Sequence, residues 1–497
     1  MRSKAQPHGA TEASGRRRRI GLKTKLGFAS GALEESMITA AAAVTMLYYN
    51  QVLGVSVVLC GTAFLIAAVV DAVSDPLVGA LSDGVRTRWG RRHPLMLMAA
   101  LPVALCFYAL YQPPSGLDEH GLFLWLTLTL VGLGIAKDFY ALPHFALGAE
   151  LTDDYHERTS IYGWNSIVGA LGTIAIGVVI YAVVFPSSPA FDNGLLDPSR
   201  WPLLAMLGAL VSFTAVITCV LSTADQIPYL HGRDSLGERT SRRYADALRE
   251  LKTNVRSLAT NRSYLSVCLC WFVLAISGGV IQVVGTYARL YGFEFSTEQL
   301  AAIRFITLPG IFLSIPLAMY LTRRLDKKLT VVWTIAASCL LVGLPYTLKL
   351  LGLFPDNGSG ASLPLYFAIH VLGYIALPIV PIVINSQMVD VADEHELRTG
   401  NRAEGLIFSV RLFAVKASNG LGAVLAGVAL EVINFPQNAR AAALEPGVVD
   451  GLMFMMGPLY YLIVFGGLGF ALLYTIDRRR HEAILGQLEA RRAAASE

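Results

Sequence analysis

Charged residues are scarce in this chain. Of its 497 residues only 15% are Asp, Glu, Lys or Arg, whereas 54% are hydrophobic. Soluble globular proteins carry about 25% charged residues, so the composition excludes a soluble protein, and the mean hydropathy is positive. Because the chain is also long, the composition predicts a protein that crosses the membrane many times.

Cysteine is rare as well, and its positions argue against a disulfide framework. The six cysteines all lie inside apolar stretches: Cys60, Cys106, Cys219, Cys268, Cys270 and Cys339. Cysteines in such positions are typically small buried residues. We therefore predict neither disulfide bridges nor cysteine metal ligands.

The usual signatures of an enzyme are absent too. The sequence has no nucleophile–base pair and no phosphate-binding loop. Its nearest approach to a metal centre is the set His144, Asp153, Asp154, His156 and Glu157. His144, however, precedes the others by nearly three helical turns. We predict a protein that is not an enzyme and has no cofactor.

Twelve apolar stretches of about 20 residues are long enough to cross a bilayer. They lie near 27–52, 55–82, 94–112, 121–150, 160–186, 201–224, 264–291, 298–322, 329–351, 362–391, 402–431 and 450–476. Lys and Arg cluster at alternate ends of these stretches, so the positive-inside bias places both termini in the cytoplasm. Residues 1–25 have no apolar core and are not a cleaved signal peptide.

The chain also repeats itself. Ala141-Leu142-Pro143 precedes an acidic cluster at Asp154, and Ala376-Leu377-Pro378 precedes a similar cluster at Asp393. The repeat predicts an all-α membrane protein of twelve helices in two pseudo-symmetric six-helix bundles, as in secondary transporters. The predicted parts are a basic N-terminal arm (1–26), the first bundle (27–224), a middle loop (225–263), the second bundle (264–476) and a basic tail (477–497).

Two aspartates inside the second stretch are the most informative residues. Asp71 and Asp75 are one helical turn apart, so they share a helix face, and ionised groups at such depth are expensive and usually functional. A structural pair bonded to hydroxyls is the alternative, but two neighbouring acids repel. We predict a cation or proton site, to which Ser74 adds a hydroxyl oxygen.

Three further ionisable residues fall at similar depth. At about 1.5 Å per residue, Glu35, Asp138 and Lys416 lie roughly 13–21 Å from a cytoplasmic helix end, comparable with the two aspartates. Lys416 is either a mobile countercharge or half of a fixed ion pair, and the sequence leaves both open. Glu34 and Glu35 diverge by about 100° on a helix, so only one of them faces a common cavity.

The block from Asp71-Ala72-Val73-Ser74-Asp75-Pro76 to Arg91-Arg92-His93-Pro94 resembles the glycoside–pentoside–hexuronide:cation symporters of the major facilitator superfamily. The resemblance continues through Leu142-Pro143 and through the stretch from Asp390 to Lys416. It implies that Asp71, Ser74 and Asp75 form a cation site. Asp138 lies at a comparable depth in the membrane, so we include it in the predicted site. The resemblance implies that Glu35 binds the substrate and that Lys416 is the intramembrane lysine of the family, and we include both in the substrate-binding set. From the residues themselves we expect Tyr49, Phe139, His144 and Phe145 to complete this set, with Phe139 and Phe145 in an aromatic wall.

The sequence departs from the family at two positions. Sugar transporters of the family carry a carboxylate where this chain has Ala141 and an arginine where it has Ser166. Asp138, one turn earlier, can replace the carboxylate, whereas no residue replaces the arginine. Galactoside recognition is therefore in doubt.

Charged residues near the cytoplasmic helix ends resemble the inner gate of the superfamily. They are Asp83, Arg88, Arg91, Arg92, Asp154, Glu157, Arg158, Asp393, Arg398 and Arg411. We expect them to hold the two bundles together in the outward-open state and to release them in the inward-open state.

Taken together, these features predict cation-coupled symport of a sugar, glycoside or hexuronide by alternating access, with Na⁺ or H⁺ as the coupling ion. A lysophospholipid or other amphiphile is the alternative substrate, and a membrane-embedded enzyme is a remote third possibility. The expected setting is a bacterial inner membrane. The expected partners are a small solute and the bilayer, with no nucleic acid, and the protein is expected to be a monomer.

Overall fold

A computed structural model of the protein describes residues 20–85, 87–152, 154–191, 193–230, 257–400, 404–439 and 444–496. Most of the predicted arm, the centre of the middle loop and the side chains of Asp83 and Arg411 lie outside this part. The predicted domain boundaries remain predictions.

The first bundle consists of seven helices, because the first membrane segment is broken at Gly31. They are α1 Leu22–Ser30, α2 Ala32–Leu47, α3 Val57–Gly84, α4 His93–Leu110, α5 Glu119–Glu150, α6 Tyr155–Val179 and α7 Trp201–Thr223. Single π-helical turns extend α2 over Tyr48–Val52 and α6 over Ile180–Val184. Proline at the start of α4 and α7, and the Asp118 cap of α5, mark where these helices begin.

The second bundle begins after the middle loop. Its helices are α8 Arg262–Tyr287, α9 Thr297–Ile303, α10 Leu308–Leu350, α11 Ser362–Ala376, α12 Ile379–Thr399, α13 Glu404–Val432, α14 Pro446–Phe454 and α15 Tyr460–Leu472. A last helix, α16, covers Arg478–Ser496. Asn261 caps α8, Ser296 and Gln299 form a capping box on α9, and left-handed Gly400 ends α12.

Nine helical stretches of the described residues meet the length and hydropathy expected of a membrane span. One of them, Thr297–Leu350, holds two helices, because Asp326 has left-handed φ (69°) and interrupts α10. The stretches Leu22–Val52 and Glu404–Val432 add two more. The described part of the chain thus contains the twelve predicted membrane helices.

The predicted tail is a helix that packs on the second bundle. Ile484 and Leu488 of α16 are buried in the same core cluster as α12. Arg480 Nη2 lies 2.6 Å from Glu394 Oε1, and Arg491 Nη1 donates to the Leu397 carbonyl at 2.6 Å. The periodic apolar positions of this short basic stretch are the signal that sequence analysis missed.

The molecule has two ends, which we name by the chain termini. The terminal face is where α1 begins and α16 lies, and the opposite face carries the α2–α3 and α13–α14 connections. At the opposite face the largest core cluster draws aromatic side chains from both bundles, among them Tyr49, Tyr287 and Phe435. The two bundles are therefore packed together at this face.

Small residues permit a close crossing of α3 and α13 near the opposite face. A Cβ atom on Gly427 would lie 2.6 Å from the Val57 carbonyl oxygen, and one on Gly61 would lie 2.8 Å from the Ala423 oxygen. Backbones approach this closely only where side chains are missing. The crossing joins one helix from each bundle.

Candidate functional site: the central carboxylates

The predicted acidic pair lies on α3 and meets Asp138 of α5. One carboxylate oxygen from each of Asp71, Asp75 and Asp138 lies within 4.8 Å of the other two. Oxygens that share a hard cation at about 2.3–2.6 Å are at most about 5 Å apart. The three residues are therefore close enough to bind one cation together.

Lys416 of α13 brings a positive charge to the same place. Its Nζ lies 2.7 Å from Asp71 Oδ2 and also contacts Asp75 Oδ2. Because α13 belongs to the second bundle, this ion pair links the two halves of the molecule. Two of the three carboxylates thus bind the same ammonium group, and the cluster carries net negative charge when all four groups are ionised.

Ser74 completes the cluster. Its hydroxyl lies 2.5 Å from Asp138 Oδ2 and 3.1 Å from the Asp71 carbonyl oxygen. Asp75 Oδ1 is buried and makes no hydrogen bond. A buried carboxylate oxygen without a partner is costly, so Asp75 offers a ligand atom that a cation would satisfy.

Glu35 is the more exposed of the two adjacent glutamates. Its side chain is 53% exposed, and Oε2 pairs with Lys137 Nζ of α5 at 2.9 Å. Glu34 is 1% exposed, and its Oε1 has no hydrogen-bond partner. Lys137 is therefore ion-paired with Glu35, and no salt bridge of the described residues joins it to the three aspartates.

A cavity of about 280 Å³ adjoins the cluster between the bundles. Its polar lining includes Asp71, Lys137, Gln282 and Tyr287. The rest of the wall is mostly aliphatic, from Ile38, Ala42, Met46, Leu130, Leu133 and Val283, with Phe64 as its one other aromatic side chain. This corrects the expectation that Phe139 and Phe145 form an aromatic wall.

Several predicted substrate-binding residues lie elsewhere. Tyr49 is 0% exposed and its hydroxyl donates to the Leu110 carbonyl at 2.7 Å. His144 is buried, stacked on Phe28, with Nε2 3.0 Å from the Phe28 carbonyl. Phe139 packs into the core of the first bundle. Buried contacts of this kind stabilise the bundle, so we correct these three assignments.

Phe145 differs from these three because its ring is exposed. Its side chain is 63% exposed, and the ring lies 5.3 Å from that of Tyr162. It does not line the central cavity. Two of the predicted substrate-binding residues contact side chains that line the cavity. Glu35 pairs with Lys137, and Lys416 pairs with Asp71.

The predicted gate residues form pairs at the terminal face. Arg91 and Arg92 both bind Glu150 Oε1, at 2.9 and 3.0 Å, and Glu157 binds Lys25 at 2.7 Å. Asp154 accepts the backbone N–H of Glu157 and caps α6. Each of these contacts stays within the first bundle.

The remaining described gate residues behave similarly. Asp393 lies 3.2 Å from His481 Nε2, inside the second bundle. Arg158 donates to the Thr152 carbonyl, Arg88 lies over the Trp89 ring, and Arg398 is exposed. These contacts hold each half of the gate in place without joining the halves.

The opposite face carries polar contacts between the bundles that sequence analysis missed. Gln51 Oε1 accepts from the Ala439 N–H at 2.8 Å and from the Tyr291 hydroxyl at 3.0 Å. The Tyr287 hydroxyl donates to Asn50 Oδ1 at 3.0 Å. The sequence feature that could have predicted these contacts is the pair of adjacent amides, Asn50-Gln51, at the end of an apolar stretch.

A family model for MFS/sugar transport proteins matches residues 27–478. The chain belongs to this family. The match spans nearly all of the helical part, so the family and the twelve-helix fold predicted from the sequence are confirmed. This transporter is accordingly an integral membrane protein.

Relatives support the same conclusion. The transporter is similar to the isoprimeverose transporter of Lactiplantibacillus pentosus, with 23% identity over 455 residues that cover 90% of this chain and 87% of that protein. It is also similar to the inner membrane symporter YicJ of Escherichia coli (strain K12), with 25% identity over 82% of both chains.

Among solved structures, a D-xylose-proton symporter has a TM-score of 0.59 and 15% identity to the transporter. The match covers 91% of this chain and 96% of that chain. At this identity the likeness bears on the fold alone. It agrees with two six-helix bundles around a central cavity.

Proposed function

We propose that this transporter carries out cation-coupled symport of a sugar, glycoside or hexuronide by alternating access, with Na⁺ or H⁺ as the coupling ion. One observation carries the proposal: three carboxylates, two of them bonded to the Lys416 ammonium group of the other bundle, lie together beside a cavity between the bundles. A cluster with net negative charge at membrane depth attracts a cation. The family and the names of its relatives indicate a sugar as the substrate.

Lys416 explains how the cation and the bundles are coupled. In this structure its ammonium group bridges the acids of α3 from across the interface. A bound cation or proton neutralises part of the same negative charge and weakens the hold on Lys416. The link between the bundles therefore depends on whether the site is loaded, which is the requirement for coupled movement.

The size and polarity of the cavity favour a compact solute. A volume of about 280 Å³ lies just below the usual range for ligand pockets. Lys137 lines the cavity and is paired with Glu35, and both charged groups can bind hydroxyls. A sugar with one or two rings fits this description better than a long-chain lipid.

An amphiphile is the second candidate, because one observation favours it. The cavity wall is mostly aliphatic, which suits an acyl chain better than a sugar ring. Lys137 would then bind an anionic head group, in place of its contact with Glu35.

The orientation follows from the distribution of basic residues. Arg91, Arg92, Arg323 and Arg324 lie toward the terminal face, so the positive-inside bias makes that face cytoplasmic. Because the bundles are joined at the opposite face, we infer that this conformation is closed toward the outside. A bacterial inner membrane and a monomer complete the proposal.

The test is thermal stabilisation of the purified protein by a panel of sugars, glycosides, uronides and lysolipids. Each compound is tested with and without sodium, at two values of pH, because a ligand that binds the folded state raises Tm. A sugar-dependent rise that grows with sodium, or with acidity, supports symport and identifies the ion. A rise with lysolipids alone would overturn the sugar assignment.

A further inference from the structure

A second, smaller cavity lies between the bundles near the opposite face. Its volume is about 100 Å³, and its lining includes Arg289, Arg304, Tyr181, Tyr366, His370 and Tyr374. Liquid water occupies about 30 Å³ per molecule, so the cavity has room for a small ion or a carboxylate group. Tyr181 comes from the first bundle and the other residues come from the second.

Two positive charges face this cavity without a negative one. Arg289 and Arg304 both line it, and no Asp or Glu does. Among the described residues neither arginine forms an ion pair with a carboxylate. Arg289 Nη2 donates to Thr286 Oγ1 at 3.3 Å, and Arg304 Nη2 donates to the Tyr181 hydroxyl at 2.8 Å. These contacts use few of the five N–H donors that each guanidinium group carries.

The surroundings make this arrangement expensive unless a further ligand is bound. Tyr366 is 0% exposed, His370 is 3% exposed, and their rings stack at 4.0 Å. Arg289 and Arg304 are half-buried beside these rings, so their guanidinium groups lose part of their hydration. In membrane proteins unpaired basic groups of this kind mark ligand sites.

We propose that Arg289 and Arg304 bind a small anion, of halide or carboxylate size, in this cavity. Guanidinium groups bind such anions through paired N–H donors. The anion is either free in solution or the carboxylate of an anionic solute that enters from the opposite face. The site is separate from the aspartate cluster, and it does not depend on which cation drives transport.

The geometry gives the anion a mechanical effect. Arg304 belongs to the second bundle, and its guanidinium carbon lies 4.8 Å from the ring centroid of Tyr181 in the first. An anion that holds Arg304 in this position also holds the two bundles together at the opposite face. Anion binding therefore favours the conformation described here.

Thermal stability of the full-length purified protein tests the proposal. Sodium concentration and pH are held constant while the anion is chloride, acetate, glucuronate or the sulfonate MES, whose head group is larger than a carboxylate. We expect Tm to rise, and the rise to saturate with concentration, for at least one of the first three anions relative to MES. A rise with chloride or acetate identifies a free anion, and a rise with glucuronate alone identifies a solute carboxylate.

Three variants and a matched control assign the effect to the cavity. Arg304→Gln and Arg289→Gln should abolish the saturable rise, Arg304→Lys should keep part of it, and Arg262→Gln, at the terminal face, should leave it unchanged. A wild type with equal Tm in all four salts would overturn the proposal, as would both Gln variants with the full rise. If a Gln variant does not fold, the rise in Tm of the wild type and of Arg304→Lys across the four anions tests the proposal instead.

Discussion

Individual side chains determine what the aspartate cluster can bind. Among the described residues, three carboxylates give it negative charge, the ammonium group bonded to two of them is that of Lys416, and Ser74 adds a hydroxyl. The two signs come from different bundles. Substitutions that alter one charge at constant size therefore separate cation binding from packing.

Lys416→Gln should make the protein depend on the cation for stability. Breaking a buried ion pair costs about 3–5 kcal/mol, and we expect less here because 32% of the Lys416 side chain is exposed. Tm without sodium and at neutral pH should fall, and the rise on adding the coupling cation should grow. Differential scanning fluorimetry measures both quantities.

The matched control for this variant is Lys349→Gln. Lys349 Nζ binds Asn357 Oδ1 at 2.6 Å, far from the cluster, so its loss should not alter the response to the cation. An unchanged response in Lys416→Gln would show that this lysine does not compete with the cation.

Asp138→Asn should weaken cation binding without abolishing transport. The amide keeps the size of the side chain and its hydrogen bond to Ser74, but it removes one charge from the site. We expect the cation concentration for half-maximal uptake to rise about tenfold, which corresponds to ~1.4 kcal/mol. Uptake measured against cation concentration would show this. An unchanged half-maximal concentration would exclude Asp138 from the site.

At the level of helices, the sequence could predict the positions of charges along each helix better than the direction in which each side chain points. Asp71 and Asp75 were predictable as a pair, because the helical period alone puts residues four apart on one face. The direction of the Tyr49 side chain was not predictable, because this residue lies in the π-helical turn Tyr48–Val52. Such a turn rotates the following side chains away from α-helical positions.

The break in α10 and the last helix show a similar limit. Separate stretches at 298–322 and 329–351 were predictable from hydropathy, but the left-handed backbone of Asp326 that joins them was not. The packing of α16 depends on ion pairs with α12 across the second bundle. Contacts between residues far apart in the chain have no local signal.

The close crossing of α3 and α13 gives a prediction about closure. Gly427→Leu would force α13 away from α3, because even a Cβ atom there would lie 2.6 Å from the Val57 oxygen. Cys60 is one turn further along α3 and 0% exposed. In a protein with Cys60 as its single cysteine, this substitution should raise the rate of labelling by a water-soluble maleimide at least several-fold.

Gly466→Leu is the matched control, because no atom lies within 4 Å of a Cβ atom at that position. Its labelling rate should equal that of the parent. If Gly427→Leu also left Cys60 unreactive, the crossing would not be what closes the opposite face.

At the scale of the whole molecule, the two ends differ in how the bundles meet. At the opposite face Gln51 and Asn50 form hydrogen bonds across the interface, whereas the gate pairs at the terminal face, such as Arg92 with Glu150, stay within a bundle. The sequence predicts the gate residues at the terminal face, but it predicts neither the contacts of Gln51 and Asn50 nor which face is closed. Both conformations share one sequence and differ little in free energy.

The most direct test of the account is uptake into proteoliposomes by Asp75→Asn, with Asp450→Asn on the exposed part of α14 as control. The solute is the one that stabilises the wild type, and uphill accumulation driven by a cation gradient is measured beside solute exchange without a gradient. The account predicts that Asp75→Asn loses accumulation at least tenfold while exchange persists, because the carrier still moves but no longer binds the cation. Gradient-driven accumulation at the wild-type level would contradict the central claim that the aspartate cluster binds the coupling ion.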